Sequence, residues 1–299
     1  MRIIKVTALA CCLMASGQWA LAQKPDLTGV EIITFPVSGN VYMLEATGDV
    51  AGNIGVSVGK DGILIIDDQW SELSGKIEEA LAELAEGKPE TGPLKYIINT
   101  HHHDDHMEGN ANLSRNSGAT IIAHNKTRER LLEWGEEYLP VLTFDNSLSL
   151  HFNGEEIQAL AFPGGHTDND IVIFFKGSNV VHMGDLFNSG ISSFPTADYS
   201  AGGDAFLLPG ILEKILPLIP DDAKIIAGHG PLSDKKGLIQ TYEMIRETTA
   251  LVGSKLDKGM SLKSILIEGL PEKYSEWGYG YTDEGSWIEM IYGSYLKNN

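Results

Sequence analysis

Four short apolar runs in this chain end directly in side chains able to hold a metal ion. Residues 94–99 run into Thr100-His101-His102-His103-Asp104-Asp105-His106, and the run ending at Phe162 leads through Pro163-Gly164-Gly165 to His166. Residues 180–183 lead through Gly184 to Asp185, and residues 224–227 lead through Gly228 to His229. Their β-branched content and their bounding glycines predict strands. Ligands delivered from the same ends of several strands converge in space, so the pattern asks for one site rather than scattered residues.

Within the densest segment the order is His-x-His-x-Asp-His. In extended chain, positions i and i+2 face the same way, so His101 and His103 can reach one cation. Asp105 and His106 fall where the chain turns into a helix, which lets them face a second cation nearby. Asp185 has two carboxylate oxygens and could bridge the pair. His166 or His229 taken singly reads as a structural histidine; beside the six-residue cluster both read as ligands. His102, His124, His151 and His182 keep the structural reading, with support of a ligand as a lesser alternative for His182.

Both cysteines, Cys11 and Cys12, lie in the first 22 residues. That segment carries Arg2 and Lys5, then an apolar run, then Ala20-Leu21-Ala22, the layout of a cleaved export signal. It is too short for a membrane span, which needs about 20 apolar residues. A periplasmic or secreted location is therefore expected, with a lipid anchor on a cysteine as the weaker alternative. The remaining chain, 23–299, is then free of cysteine, so its chemistry must rest on oxygen and nitrogen. It also carries 20 basic against 41 acidic side chains, a formal charge of −21. Such a surface repels phosphodiesters and anionic membranes, leaving a small-molecule substrate as the expected partner, with the oligomeric state open.

Alternating or β-branched runs at 31–35, 41–45, 54–58 and 63–67 predict hairpin-linked strands, and apolar spacing over 71–86 predicts a helix stopped by Gly87. Further strands are expected at 94–99, 119–123, 147–152, 157–162, 171–176, 180–183 and 224–227. Helices are expected at 107–114, starting near Asp105, at 126–134 with Asn125 as cap, and at 204–218 with Pro209 disturbing it. The last part, about 234–299, reads as mostly helical, at 234–256, 261–268 and 285–297. Strands, helix and strand occur in that order twice, with a swap near Pro140, and one domain over 23–299 is expected.

These residues resemble the metallo-β-lactamase superfamily over nearly the whole mature chain, whose motifs fall in order at Asp67, His101 to His106, His166, Asp185 and His229. The resemblance implies an α/β fold, a four-layer αββα sandwich of two mixed β-sheets with helices on the outer faces. It implies two zinc ions per chain, one held by His101, His103, His166 and Asp185, the other by Asp105, His106, His229 and the same Asp185. Asp67 would support the histidine loop without binding metal. The implied activity is hydrolysis by a metal-bound hydroxide on a carbonyl, with Asp105 as the catalytic residue that orients the hydroxide and carries its proton.

The family acts on many substrates, so the site indicates a reaction type more than a substrate. Members with a cysteine ligand have Cys where Asp185 stands and often a Lys three residues on, where this chain has Asn188. The bridging Asp looks like glyoxalase II and the lactonases, yet glyoxalase II holds glutathione with basic residues in a helical tail, and this tail is acidic (Glu272, Glu276, Asp283, Glu284, Glu289). Gly52-Asn53-Ile54-Gly55-Val56 and Ile65-Ile66-Asp67-Asp68-Gln69 resemble exported β-lactamase-like members. The expectation is a hydrolase of a cyclic amide or ester. Alternatives are a thioester hydrolase of glyoxalase II type, an iron-dependent sulfur dioxygenase and, last, a non-catalytic binding protein on the same fold. Trp70 and the segment 187–199 are candidates for substrate contact, with plain packing as the alternative, while Tyr279, Tyr281 and Trp287 are expected to pack the last helix on the sheet.

Overall fold

In the computed structural model, which describes residues 24–190, 193–278, 280 and 282–299, side-chain alternation along the strands builds three apolar seams. The first half contains β1 (Ile32–Ser38), β2 (Val41–Ala46), β3 (Ile54–Gly59), β4 (Gly62–Ile66), α1 (Ser74–Ala85), β5 (Leu94–Ile98), α2 (Asp104–Met107), α3 (Asn110–Ser117), β6 (Thr120–His124), α4 (Asn125–Arg130) and β7 (Leu142–Phe144). The second half contains β8 (Ser147–Phe152), β9 (Glu155–Ala161), β10 (Ile171–Phe175), β11 (Val180–His182), α5 (Leu208–Ile215), β12 (Lys224–Ile226), β13 (Ser233–Asp234), α6 (Lys235–Asp257), α7 (Leu262–Glu268) and α8 (Glu284–Asn298).

The seven strands of the first half form one sheet in chain order, and the other six form a second in the order β13-β12-β11-β10-β9-β8. Both sheets are mixed. Strands β1 to β4 pair antiparallel and β4 to β7 parallel. In the second sheet only β11 and β12 run parallel.

Successive residues of a strand face opposite sides of the sheet. Leu64, Ile66, Ile98 and Ile122 turn inward to meet Ile171, Ile173, Phe175 and Ile226 of the other sheet. Ile63, Ile65, Ile97 and Ile121 turn outward onto Ile77 and Leu81 of α1 and Leu113 of α3. On the other side Val172, Phe174, Val181 and Ile225 meet Leu208 and Leu212 of α5, Leu238 and Ile245 of α6 and Ile288 of α8. Helix, sheet, sheet, helix is thus the layer order, the αββα sandwich expected.

The last helix is held by Trp287, which is fully buried and donates its indole N–H to Thr248 Oγ1 at 2.9 Å. Trp287→Phe should lower stability by about 1–3 kcal/mol, through lost volume and an orphaned hydroxyl partner, read as a shifted urea midpoint at unchanged slope. Tyr279 and Tyr281, expected in the same role, lie outside the described residues, as does the leader. Among the described residues no helix is long and apolar enough to cross a membrane.

Several boundaries differ from the sequence pattern. The helix expected over 107–114 is two pieces, Asp104–Met107 and Asn110–Ser117. Between them Gly109 passes so near β4's end that a Cβ would lie 2.4 Å from the Asp68 carbonyl oxygen, a tertiary contact that breaks the helix. The helix expected over 126–134 is Asn125–Arg130 followed by a 3₁₀ turn, and its cap is His124, whose ring accepts from Lys126 N. Pro209 does not disturb a helix over 204–218; it sits in the first turn of Leu208–Ile215, where its missing N–H costs nothing. Strands β7 and β13, three and two residues long, were not foreseen, and both are sheet edges.

Candidate metal centre

The seven residues singled out in the sequence come together at one end of the sandwich, across the seam between the sheets. His101, His103, Asp105 and His106 follow β5, while His166 follows β9, Asp185 follows β11 and His229 follows β12. Backbone bonds tie the two halves here: Ile171 N donates to Thr100 O at 3.0 Å and Asn53 N to Gly228 O at 2.7 Å. Gly228 leaves room for the carboxylate, since a Cβ there would lie 1.9 Å from Asp185 Oδ1.

Two groups of nitrogen and oxygen atoms result. His103 Nδ1 lies 3.1 Å from His101 Nε2 and 2.9 Å from His166 Nε2. In the other group His229 Nε2 lies 3.4 Å from His106 Nε2 and 3.2 Å from Asp105 Oδ2. Asp185 stands between them, with Oδ2 3.6 Å from both His166 Nε2 and His229 Nε2 and Oδ1 3.2 Å from His106 Nε2. His101, His103 and His166, and likewise Asp105, His106 and His229, each form a set close enough to share one ion, as do His101, His106 and Asp185.

The outer side of each ring reveals what faces inward. Thr100 Oγ1 gives its proton to Asp67 Oδ2, so it accepts from His101 Nδ1. His166 Nδ1 donates to the Thr196 carbonyl, and His103 Nε2 donates to Asp198 Oδ2. With those nitrogens protonated, a neutral imidazole turns a bare lone pair to the inside, and three such lone pairs meet within about one hydrogen-bond length. They cannot satisfy one another. In the other group His106 Nδ1 meets Asp67 Oδ2 at 2.8 Å and His229 Nδ1 has Asp49 Oδ1 at 3.6 Å. Donors on a tetrahedral ion at about 2.0 Å stand about 3.3 Å apart, so these separations fit cations of zinc's kind.

Asp67, fully buried at φ 64°, also accepts from Thr100 N at 2.6 Å, so a backbone position unusual for a side chain is spent on orienting both His101 and His106. The outer partners Asp49 and Asp198 were not found in the sequence. Asp198-Tyr199-Ser200 does carry a local turn signal, Asp198 Oδ1 accepting from Ser200 N, but its partner His103 is 95 positions away. Trp70 and Phe187, considered for substrate contact, are packed in apolar clusters, and Trp70 Nε1 donates to Val50 O. His182 holds Asn53 O and Gly184 N, a brace between the sheets beside Asp185.

Electrostatics divides the two groups. Burial and the neighbouring imidazoles hold His101 well below its ordinary pKa, and burial brings His166 down to about 4. Burial opposes charge on His106 and His229 as well, but Asp185 and Asp105 outweigh it, raising His106 well above its usual value and His229 to about 10. In the metal-free protein at neutral pH these two rings therefore hold protons that ligation must displace. Filling the Asp105–His106–His229 group should release about two protons per cation while His101 and His166 release none, measurable by titration in weak buffer. Equal release at both steps would contradict this division.

Comparison with known proteins agrees with the geometry. Residues 47–229 match the model of the metallo-beta-lactamase superfamily. Hydroxyacylglutathione hydrolase of Pelagibacter ubique is 31% identical over 173 residues, 56% of this chain and 66% of that protein, so the match spans just under two thirds of the relative's length. Metallo-beta-lactamase type 2 of Elizabethkingia meningoseptica is 26% identical over 253 residues, 79% of this chain and 96% of its own. Among solved structures, a metallo-beta-lactamase from Pontibacter korlensis superposes with a TM-score of 0.61 at 20% identity, covering 72% of this chain and 99% of that one. The sec-alkylsulfatase Pisa1 from Pseudomonas sp. reaches 0.70 at 15% identity over 89% of this chain and 50% of its own.

Proposed function

Because this chain belongs to the metallo-β-lactamase superfamily, a family of metal-dependent hydrolases, we propose that it is an exported dinuclear zinc enzyme acting on the carbonyl of a cyclic amide or ester. The observation that carries the reading is Asp185, placed between the two sets, with Oδ2 3.6 Å from both His166 Nε2 and His229 Nε2 and Oδ1 3.2 Å from His106 Nε2. His101, His103 and His166 would hold one ion, Asp105, His106 and His229 the other, and Asp185 both. A pair of dications supplies Lewis acidity and an acidified water.

The chain's own side chains do the remaining work. Asp105 lies between His106 and His229; desolvation opposes its charge, but those two rings outweigh it and keep the half-buried carboxyl down at about 2, so it is an ionised acceptor for the proton of an attacking water. Asp67 and Thr100 hold His101 and His106 so that the donors need not reorganise when substrate arrives.

A thioester substrate is the second reading, favoured by the Pelagibacter relative and by hydroxyacylglutathione hydrolase GloC of Haemophilus influenzae, 33% identical over 153 residues. Export rests on the leader pattern of the sequence. Elemental analysis of the natively purified protein is expected to give about two zinc ions per chain, and iron in their place would support the dioxygenase instead. Turnover of lactone, β-lactam and thioester probes then identifies the class. Activity with less than half an ion per chain would sink the metal reading.

A further inference from the structure

We infer that Asp198 is a positioning residue for the three-histidine group, fixing the proton of His103 on Nε2 so that Nδ1 offers its lone pair to a cation. The inference rests on the metal-centre reading above.

Its carboxylate is divided between two tasks. Oδ2 accepts from His103 Nε2 at 3.0 Å, while Oδ1 accepts from Ser200 N at 2.9 Å, Ser200 Oγ at 2.6 Å and Ala201 N at 3.1 Å. The turn donors lock the side chain, so the oxygen that meets His103 is held rather than merely near. A negative acceptor selects the Nε2–H tautomer because the other would set a lone pair against a carboxylate.

The same short stretch holds a second ligand. Thr196 O takes the His166 Nδ1 proton at 2.9 Å, and Asp198 N donates to His166 O at 2.9 Å. The fit is close, since a Cβ on Gly203 would stand 2.1 Å from His166 O. Residues 196–198 are therefore a strap across the outer faces of His103 and His166, anchored in turn where Thr196 Oγ1 meets Thr282 Oγ1 at 3.0 Å. The strap's bonds to the metal-centre side chains run to His103 and His166, both in the three-histidine group. Its influence should be confined to one ion.

Asp198→Asn separates orientation from folding. The amide oxygen can keep the Ser200 and Ala201 bonds, which leaves its NH₂ facing His103. An NH₂ donates to Nε2 and drives the imidazole proton to Nδ1, the inward atom. Imidazole ¹⁵N spectra of the metal-free proteins, taken where the ring is neutral, should show His103 as Nε2–H in the parent and Nδ1–H in the variant. Stepwise zinc titration against a chromophoric chelator should show one of two steps weakened about 10- to 100-fold and the other unchanged. Asp198→Ala, which offers no donor, should weaken the same step less if its melting curve matches the parent.

A parent that takes up no cation overturns the metal-centre reading itself. A parent that takes up two, with Asp198→Asn matching it at both steps or weakened equally at both, overturns the role of Asp198 alone. So does a parent spectrum with His103 protonated on Nδ1.

Discussion

Asp185→Ala should release both cations together and lower turnover by at least about a thousandfold, since each ion contributes several kcal/mol of charge stabilisation and tenfold costs about 1.4 kcal/mol. The reason is position. Asp185 Oδ2 is equidistant, at 3.6 Å, from a nitrogen of each group, and Oδ1 approaches His106. Burial works against its charge, but His106 and His229 hold it well below the usual carboxylate range, so it is ionised before any metal arrives. Without it each ion loses a ligand, and the anion that lets two dications stand close together is gone. The measurement is metal content after gel filtration together with a zinc titration. Two ions bound at parental affinity would show that Asp185 is not a ligand and would remove the chain from the bridged-carboxylate group. Asp185→Cys tests the geometry separately, because a thiolate is a strong terminal ligand but a different bridge, and single-ion occupancy is expected.

The second large effect is expected at Asp105. Asp105→Asn preserves size while removing the charge and the proton acceptor, so kcat should fall by at least about a hundredfold, the range for lost proton transfer. His106 Nε2 at 3.7 Å and His229 Nε2 at 3.2 Å are its neighbours, so one ion should also be held more weakly. Running the assay at saturating zinc separates the two losses. If turnover returns to the parental value once the metal is restored, Asp105 serves as a ligand and another group handles the proton.

The layers of this fold were readable because its strands alternate between seams without interruption, as in Ile63, Leu64, Ile65, Ile66. The convergence of the seven side chains was readable because each follows such a strand, so that a one-dimensional spacing encodes a shared place. What escaped has a common cause. The break at Gly109 depends on the Asp68 carbonyl, the pairing of Asp198 with His103 crosses 95 positions, and Asp49 meets His229 across 180, contacts with no local periodicity. The edge strands β7 and β13 are too short to show alternation.

The donors come in nearly equal shares from chain before and after the crossover between sheets. An ion held by His101 and His103 on one side and His166 and Asp185 on the other would therefore act as a rivet through the seam. A rivet works against the entropy of parting distant segments, and its strength follows the free ion concentration. Opening a sandwich so filled would then mean extracting metal. The lifetime of the filled protein would accordingly be set by the free metal ion as much as by the apolar seams.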